Sequence, residues 1–369
     1  MTSRRGFLRS TLGACWTGAA LLEQSFFRAN QARAQATPGM PSLFTIQKVA
    51  EHAYAAIAKP AAVLNCNAAI FENSEDLLVV DTHSKPSAVV ALIAQLQREV
   101  TKKPVRYIVN SHFHWDHSQG SAAYRGANPH AQIIASEATR RLLSENGAAR
   151  LKQSLEQARA ALEMTEQQRG KATDPAEIRR LADQAAGIRS YIAEMKDYTP
   201  ELPDLTFDRE LIIHDKNQEI HLAFRGRAHT SGDIVVFCPQ SKVVATGDMI
   251  HSSLPYMLDG YPKEWAATMH SVSDLPFDYV IGGHGGVQRG KQTLRGMAAY
   301  IEELTAAVAR ERTKPLADLQ SSITPATLKS LNGEYGKSLL QNSPARSTDA
   351  LASGVRTNVA HVYERLGAV

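Results

Sequence analysis

Over the first part of the chain, apolar residues gather in short runs at 44–48, 53–57, 66–72 and 76–81, each bounded by turn-forming residues. Such runs predict strands, and Asn-Ser-Glu-Asp at 73–76 predicts a hairpin turn. The period then changes. Val89, Val90, Ile93, Leu96 and Val100 recur at helical spacing, Pro104 ends the helix, and Val-Arg-Tyr-Ile-Val at 105–109 predicts a buried strand. A further strand follows at 131–135, with a helix beginning after Ser136.

Residues 137–198 differ in kind, being rich in Ala, Glu, Gln, Arg and Leu. Leu151, Leu155, Ala158 and Leu162 share one helical face, and Ile178, Leu181, Ala185, Ile188, Ile192 and Met195 share another. Asp-Pro-Ala-Glu at 174–177 supplies a capping Asp, a first-turn Pro and a Glu at the third position, so a second helix starts there. The expectation is a helical hairpin inserted between strands, packing on the body or on a twin subunit in preference to acting as an active-site lid. Strand runs return at 211–214, 220–224, 234–238, 242–246 and 278–281, and helices are expected at 291–312 and 348–366 with a loop-rich stretch between them. Two strand-and-helix halves around a helical insertion predict an α/β protein built as a four-layer αββα sandwich. The expected boundaries are a leader at 1–36, a catalytic domain at 37–290 with its insertion at about 137–198, and a helical C-terminal extension at 291–369.

Charge changes the picture only at the start. The chain of 369 residues has a formal net charge of +4, and its first 36 residues carry Arg4, Arg5, Arg9, Arg28 and Arg33 against Glu23, which is 5 − 1 = +4. The remaining body is therefore neutral, which removes the electrostatic attraction on which sequence-independent nucleic-acid binding depends. Ser-Arg-Arg-Gly-Phe-Leu-Arg-Ser at 3–10, an apolar stretch from Thr11 to Leu22, and the small residues Ala34 and Ala36 resemble a twin-arginine export signal cleaved before Thr37. The apolar stretch is too short to remain as a stable membrane span, so a periplasmic or otherwise exported protein is expected. Lipidation at Cys15 and an uncleaved amphipathic N-terminus are the competing readings. Outside the leader, Cys66 and Cys238 lack metal-site spacing and read as buried inert thiols, with a disulfide between them as the alternative.

The candidate chemistry begins directly after the strand at 105–109. Asn-Ser-His-Phe-His-Trp-Asp-His at 110–117 places His112, His114, Asp116 and His117 within six positions. In an extended loop, residues two apart project to the same side, so His112 and His114 can share one cation. Asp116 and His117, where the chain turns into a helix, can meet a second. Imidazole and carboxylate donors suit zinc, with iron or manganese left open. Downstream, His229 stands in Gly-Arg-Ala-His-Thr-Ser-Gly-Asp (226–233), Asp248 ends Ala-Thr-Gly-Asp (245–248), and His284 lies between glycines at 282–286.

This ordered set resembles the metallo-β-lactamase superfamily over about residues 44–290. The resemblance implies that His112, His114 and His229 hold one zinc, Asp116, His117 and His284 a second, and that Asp248 bridges the two. Leu-Val-Val-Asp-Thr at 78–82 matches the family's first motif, so Asp81 is expected to accept a hydrogen bond from a ligand histidine. Asp233 reads equally as such an outer partner or as a turn residue. His83, His130, His214, His221, His251 and His270 lie off the motifs and are taken as non-ligands.

The resemblance further implies a hydrolase that ionises water at its metal pair, with Asp116 and Asp248 carrying the catalytic roles. A small ester, lactone, thioester or β-lactam-like amide is the expected substrate. Efficient β-lactam hydrolysis is in doubt, because familiar β-lactamases carry Cys or Ser where Asp248 stands, and no lysine follows among Met249, Ile250, His251 and Ser252. Phosphodiester cleavage, iron-dependent oxidation and a non-catalytic metal-binding accessory role are the alternatives. An aromatic loop at 254–265 offers Tyr256, Tyr261, Lys263 and Trp265 as a substrate pocket, or else as a packed surface loop. Partners are expected to be a small-molecule substrate and a second copy of the chain through the helical insertion, with no nucleic acid.

Overall fold

The computed structural model describes residues 42–59, 66–250, 252–342 and 348–367. The leader, including Cys15 and the cleavage point before Thr37, lies outside the described residues, as does His251.

Two sheets form the centre. The first has seven strands in sequence order: β1 (Phe44–Ala50), β2 (Ala53–Ala58), β3 (Ala68–Glu72), β4 (Leu77–Val80), β5 (Val105–Val109), β6 (Gln132–Ser136) and β7 (Leu205–Phe207). The second has six, in the order β13 (Gln288–Arg289), β12 (Tyr279–Gly282), β11 (Val243–Gly247), β10 (Val235–Cys238), β9 (Glu219–Ala223), β8 (Glu210–His214). Strand alternation builds the layers. Leu78 and Val80 of β4 face inward with Phe71, Val109 and Ile134, meeting Leu222, Val236, Val243 and Ala245 of the second sheet. Leu77 and Val79 face outward with Ile70, Ile108 and Ile133, beneath Val89, Leu92 and Leu96 of helix α1 (Pro86–Glu99). Such continuously apolar strands are what burial on both faces requires.

The outer face of the second sheet is covered by helix α6 (Pro262–Ser273), helix α7 (Gln292–Arg310) and the C-terminal helices. The result is the expected four-layer αββα sandwich with a helical C-terminal region. Short helices α2 (Trp115–Ser118) and α3 (Ser121–Ala127) follow β5. The insertion is a hairpin of α4 (Glu137–Lys171) and α5 (Pro175–Met195). Ser136 caps α4 by accepting from the Thr139 amide, and Asp174 caps α5 through the amides of Ala176 and Glu177. Leu151, Leu155, Ala158, Ile188, Tyr191 and Met195 seal the two helices together, with Trp115 of the metal-motif loop packed against them.

Several sequence expectations need correction. Residues 262–265 are not part of a loop; they are the first turn of α6, started by Pro262. The stretch expected to be loop-rich before residue 348 contains α8 (Leu316–Ser322), a 3-10 turn at Lys329–Leu331 and α9 (Glu334–Asn342), ahead of α10 (Thr348–Gly367). Strands β7 and β13 were not foreseen. Cys66 and Cys238 are buried free thiols, not a disulfide. Among the described residues, no helix is long and apolar enough to cross a membrane.

Candidate metal centre

Both sheets end at the same edge, and the donors sit there. β4 and β5 run parallel, as do β11 and β12, so the loops after all four strands emerge on one side. The Ile234 amide donates to the Ser111 carbonyl at 3.0 Å, and the Asn67 amide to the Gly283 carbonyl at 2.7 Å, tying the sheets together at this edge. Asn67 also donates its side-chain Nδ2 to the carbonyls of Gly282 and Gly285, fixing the loop that carries His284.

The nitrogen protons can be assigned from these bonds. Asp81, in a left-handed backbone conformation (φ 69°) just beyond β4, turns its carboxylate toward the metal loop. There it accepts from the Ser111 amide, the Ser111 hydroxyl and His117 Nδ1, each at 2.8 Å. The Ser111 hydroxyl, having donated to Asp81, accepts from His112 Nδ1 at 3.0 Å. His229 Nδ1 donates to the Tyr256 carbonyl at 3.0 Å, and His114 Nε2 donates to Asp259 Oδ2 at 2.9 Å. Each imidazole thus spends its proton on the far side and turns a lone pair inward.

Those lone pairs converge. The donor atoms of His112, His114 and His229 lie within 4.8 Å of one another, as do those of Asp116, His117 and His284, and those of His112, His117 and Asp248. His114 Nδ1 stands 2.9 Å from His229 Nε2 with no proton left for either to share, an approach that a cation relieves. His112 Nε2, His117 Nε2 and Asp248 Oδ1 are buried without a hydrogen-bond partner, a cost that a metal removes. Asp248 divides its oxygens: Oδ1 lies 3.3 Å from His117 Nε2 and 3.4 Å from His284 Nε2, while Oδ2 lies 3.7 Å from His229 Nε2. Asp248 thus faces both groups of imidazoles. Asp116 Oδ2 lies 3.4 Å from His117 Nε2 and 3.2 Å from His284 Nε2. The donors fit a pair of cations with nitrogen and oxygen ligands.

The electrostatics agree. Burial and the neighbouring imidazoles of His117, His114 and His229 hold His112 well below the usual histidine range. Against burial, the carboxylates of Asp116, Asp248 and Asp81 and the Cys66 sulfur raise His117. His284 is likewise raised to about 9, by Asp248 and Asp116 against burial. Asp116 and Asp248 are in turn held low against burial by these two imidazoles. Cations and protons therefore compete for one anionic hole.

The centre is closed behind and open in front. His117 and His229 are fully buried, whereas the side chains of His284, Asp116 and Asp248 are 25%, 17% and 10% exposed. Solvent reaches the centre on the Asp116–His284 side. Gly283 makes this packing fit, since a Cβ there would fall 2.0 Å from Asp248 Oδ1 and 2.8 Å from His117 Cε1.

Of the proposed pocket residues, Tyr256 places its ring 6.1 Å from those of both His114 and His229. Trp265 is fully buried, donates to the Met249 carbonyl and backs His229 at 5.6 Å, so it supports a ligand instead of lining an open pocket. Tyr261 lies under the guanidinium of Arg227, and Lys263 is exposed on α6. Asp233 is the turn residue: it accepts from the amide and hydroxyl of Thr230 and closes the loop of His229, and burial pushes its carboxyl up to about 7. Asp259, Ser111 and Asn67 were missed in the sequence. Asp-Gly at 259–260 reads only as a turn, and its bond to His114 spans 145 positions.

A family model of the metallo-beta-lactamase superfamily matches residues 61–284. The chain belongs to that superfamily. This superfamily member is similar to two curated proteins described as type 2 metallo-beta-lactamases. The one from Elizabethkingia meningoseptica is 27% identical over 110 residues, covering 27% of this chain and 44% of its own. The one from Bacillus cereus is 26% identical over 115 residues, covering 30% of this chain and 44% of its own. The match thus spans less than half of either relative. Among solved structures, a metallo-beta-lactamase from Pontibacter korlensis superposes with a TM-score of 0.49 at 16% identity, covering 69% of this chain and 98% of that one. The DIM-1 metallo-beta-lactamase gives 0.49 at 16% identity, with 70% and 97% covered.

Proposed function

We propose that this superfamily member is a hydrolase that binds two metal ions, zinc by preference, and cleaves a small carbonyl substrate such as an ester, lactone, thioester or strained amide. The observation that carries this reading is the split carboxylate of Asp248 between two groups of inward-facing imidazole lone pairs. His112, His114 and His229 would hold one ion, Asp116, His117 and His284 the other, and Asp248 both. Bound there, such ions supply Lewis acidity and bring the ionisation of water down from about 15.7 toward 7.

The chain's own groups do the rest. Asp81 and Ser111 fix the tautomers of His117 and His112, so their donor atoms need no reorganisation. Asp116, kept ionised and on the open side, accepts a hydrogen bond from an approaching water and orients it toward the substrate carbonyl. The Tyr256 ring beside His114 and His229 gives an apolar wall for the acyl portion. The neutral body favours a small neutral or weakly charged substrate over a phosphodiester polymer. The leader at 1–36 is proposed to direct export by the twin-arginine route, after the protein has folded around its ions.

The test is metal analysis together with a panel of colorimetric ester, lactone, thioester, cephalosporin and phosphodiester substrates on the zinc-loaded chain. Two equivalents of metal and turnover on a carbonyl substrate are expected. His112→Ala and Asp248→Asn should abolish turnover with the circular dichroism spectrum unchanged. Undiminished activity in the metal-free protein would end the proposal.

A further inference from the structure

One loop, residues 254–261, supports two of the three histidines on one side of the centre. The Tyr256 carbonyl receives His229 Nδ1, and the Asp259 carboxylate receives His114 Nε2. The remaining oxygen of Asp259 is not left to the loop's own care. Arg150, which projects from α4 of the inserted hairpin, donates NH2 to Asp259 Oδ1 at 2.6 Å. The same guanidinium lies 5.4 Å over the ring of Phe113, the residue between His112 and His114. Arg150 therefore grips the metal loop and the supporting loop at once, from an element that supplies no metal ligand.

Other contacts bind the hairpin to the same place. Trp115 packs against Tyr191 of α5 with ring centroids 5.8 Å apart. At the start of α4, the Ser136 and Thr139 hydroxyls both donate to the Gly232 carbonyl, at 2.6 and 3.0 Å, in the turn that bears His229. The hairpin thus touches the metal loop at Phe113 and Trp115, the turn of His229 at Gly232 and, through Arg150, the Asp259 carboxylate that sets the proton of His114.

We infer that Arg150 is a positioning residue for the three-histidine ion, acting through Asp259 on His114, and that the inserted hairpin thereby sets the affinity of that ion. The physical basis is direct. A carboxylate with one oxygen pinned by a guanidinium cannot rotate away from the imidazole it holds, and an imidazole so held keeps its lone pair aimed inward. Free of Arg150, Asp259 would exchange its bond to His114 for water. The inference rests on the metal-binding reading above.

Cobalt(II) alone is the probe, titrated into the metal-free chain in competition with a chelator while the d–d spectrum is followed. Asp259→Asn, isosteric with the native residue, should weaken one of the two equivalents by about 10- to 100-fold, and Arg150→Gln by about tenfold. Arg150→Lys, which keeps the charge, should recover most of that loss. The double variant Asp259→Asn with Arg150→Gln should be no weaker than Asp259→Asn alone, because the two act in series. The cobalt band of the affected site should shift, a change that mere loss of hairpin packing would not produce. An Arg150→Gln chain with wild-type affinity and spectrum would overturn the inference, as would a double variant whose losses add. If the wild-type chain binds no cobalt, the metal reading itself fails; binding in the wild type with unaltered variants sinks only the role of Arg150. Should Arg150→Gln fold poorly, Arg150→Met decides in its place: wild-type affinity and spectrum overturn the inference, and a loss of about tenfold supports it.

Discussion

Four imidazoles in the centre are made ready by the atom that the outer nitrogen touches: Ser111 for His112, Asp259 for His114, Asp81 for His117 and the Tyr256 carbonyl for His229. The grouping of candidate donors was legible in the sequence because one loop concentrates four of them between residues 112 and 117. The partners were legible only where they ended a strand, as Asp81 does. Asp259 and Arg150 were not, since a turn aspartate and a helix-surface arginine carry no local mark of a contact across 109 positions. Gly283 is a sharper case, because its need for a missing side chain appears only when Asp248 and His117 are beside it. Gly283→Ala should displace Asp248 Oδ1, which stands 2.0 Å from the added Cβ position. The expected outcome is a loss of metal affinity of at least about tenfold, measured by chelator competition, with the fold retained by circular dichroism.

At the level of elements, the strands of four residues or more and the long periodic helices were legible, whereas the shortest strands were not. The hairpin, observed from Glu137 to Met195, and the β4–α1–β5 unit follow from sustained spacing and from Pro and Asp caps. β7 and β13, at three and two residues, are too short to show a period. The first turn of α6 was taken for loop because Tyr261, Pro262 and Trp265 resemble an aromatic surface segment until Trp265 is seen buried beneath the metal ligands. Helix α10 carries one titrating group inward. His361 is 5% exposed, and burial lowers its ionisation from 6.5 to about 4. Its neutral form therefore favours the folded state, a contribution complete above pH 6.5 and lost as the pH falls through 6.5 toward 4. Over that window it is worth at most about 3 kcal/mol. His361→Phe should flatten the fall in melting temperature between pH 6.5 and 4 relative to the wild type, as followed by thermal unfolding.

At the scale of the whole molecule, the centre draws on both sheets. His112, His114, Asp116 and His117 follow the first sheet's β5, whereas His229, Asp248 and His284 come from the second half. Metal binding should accordingly stabilise the entire sandwich and not one loop. At a free-metal concentration a thousand times the dissociation constant, the gain is about 4 kcal/mol. Removing the ions with a chelator should lower the melting temperature by roughly 8 °C or more, and zinc should restore it. A melting temperature indifferent to chelation would mean that the two sheets are joined without help from the donors.

The helical excursion between those halves gives the centre an unusual divisibility. Its tip, the turn at 172–174, lies on the chain midway between the two sets of donors. A backbone nicked there yields two fragments, each holding an incomplete coordination sphere, the first with strands β1 to β6 and the second with β7 and the whole of the second sheet. A metal ion held by donors from both fragments would then serve as the adhesive for their reunion, and its uptake would report whether two separately made polypeptides have met.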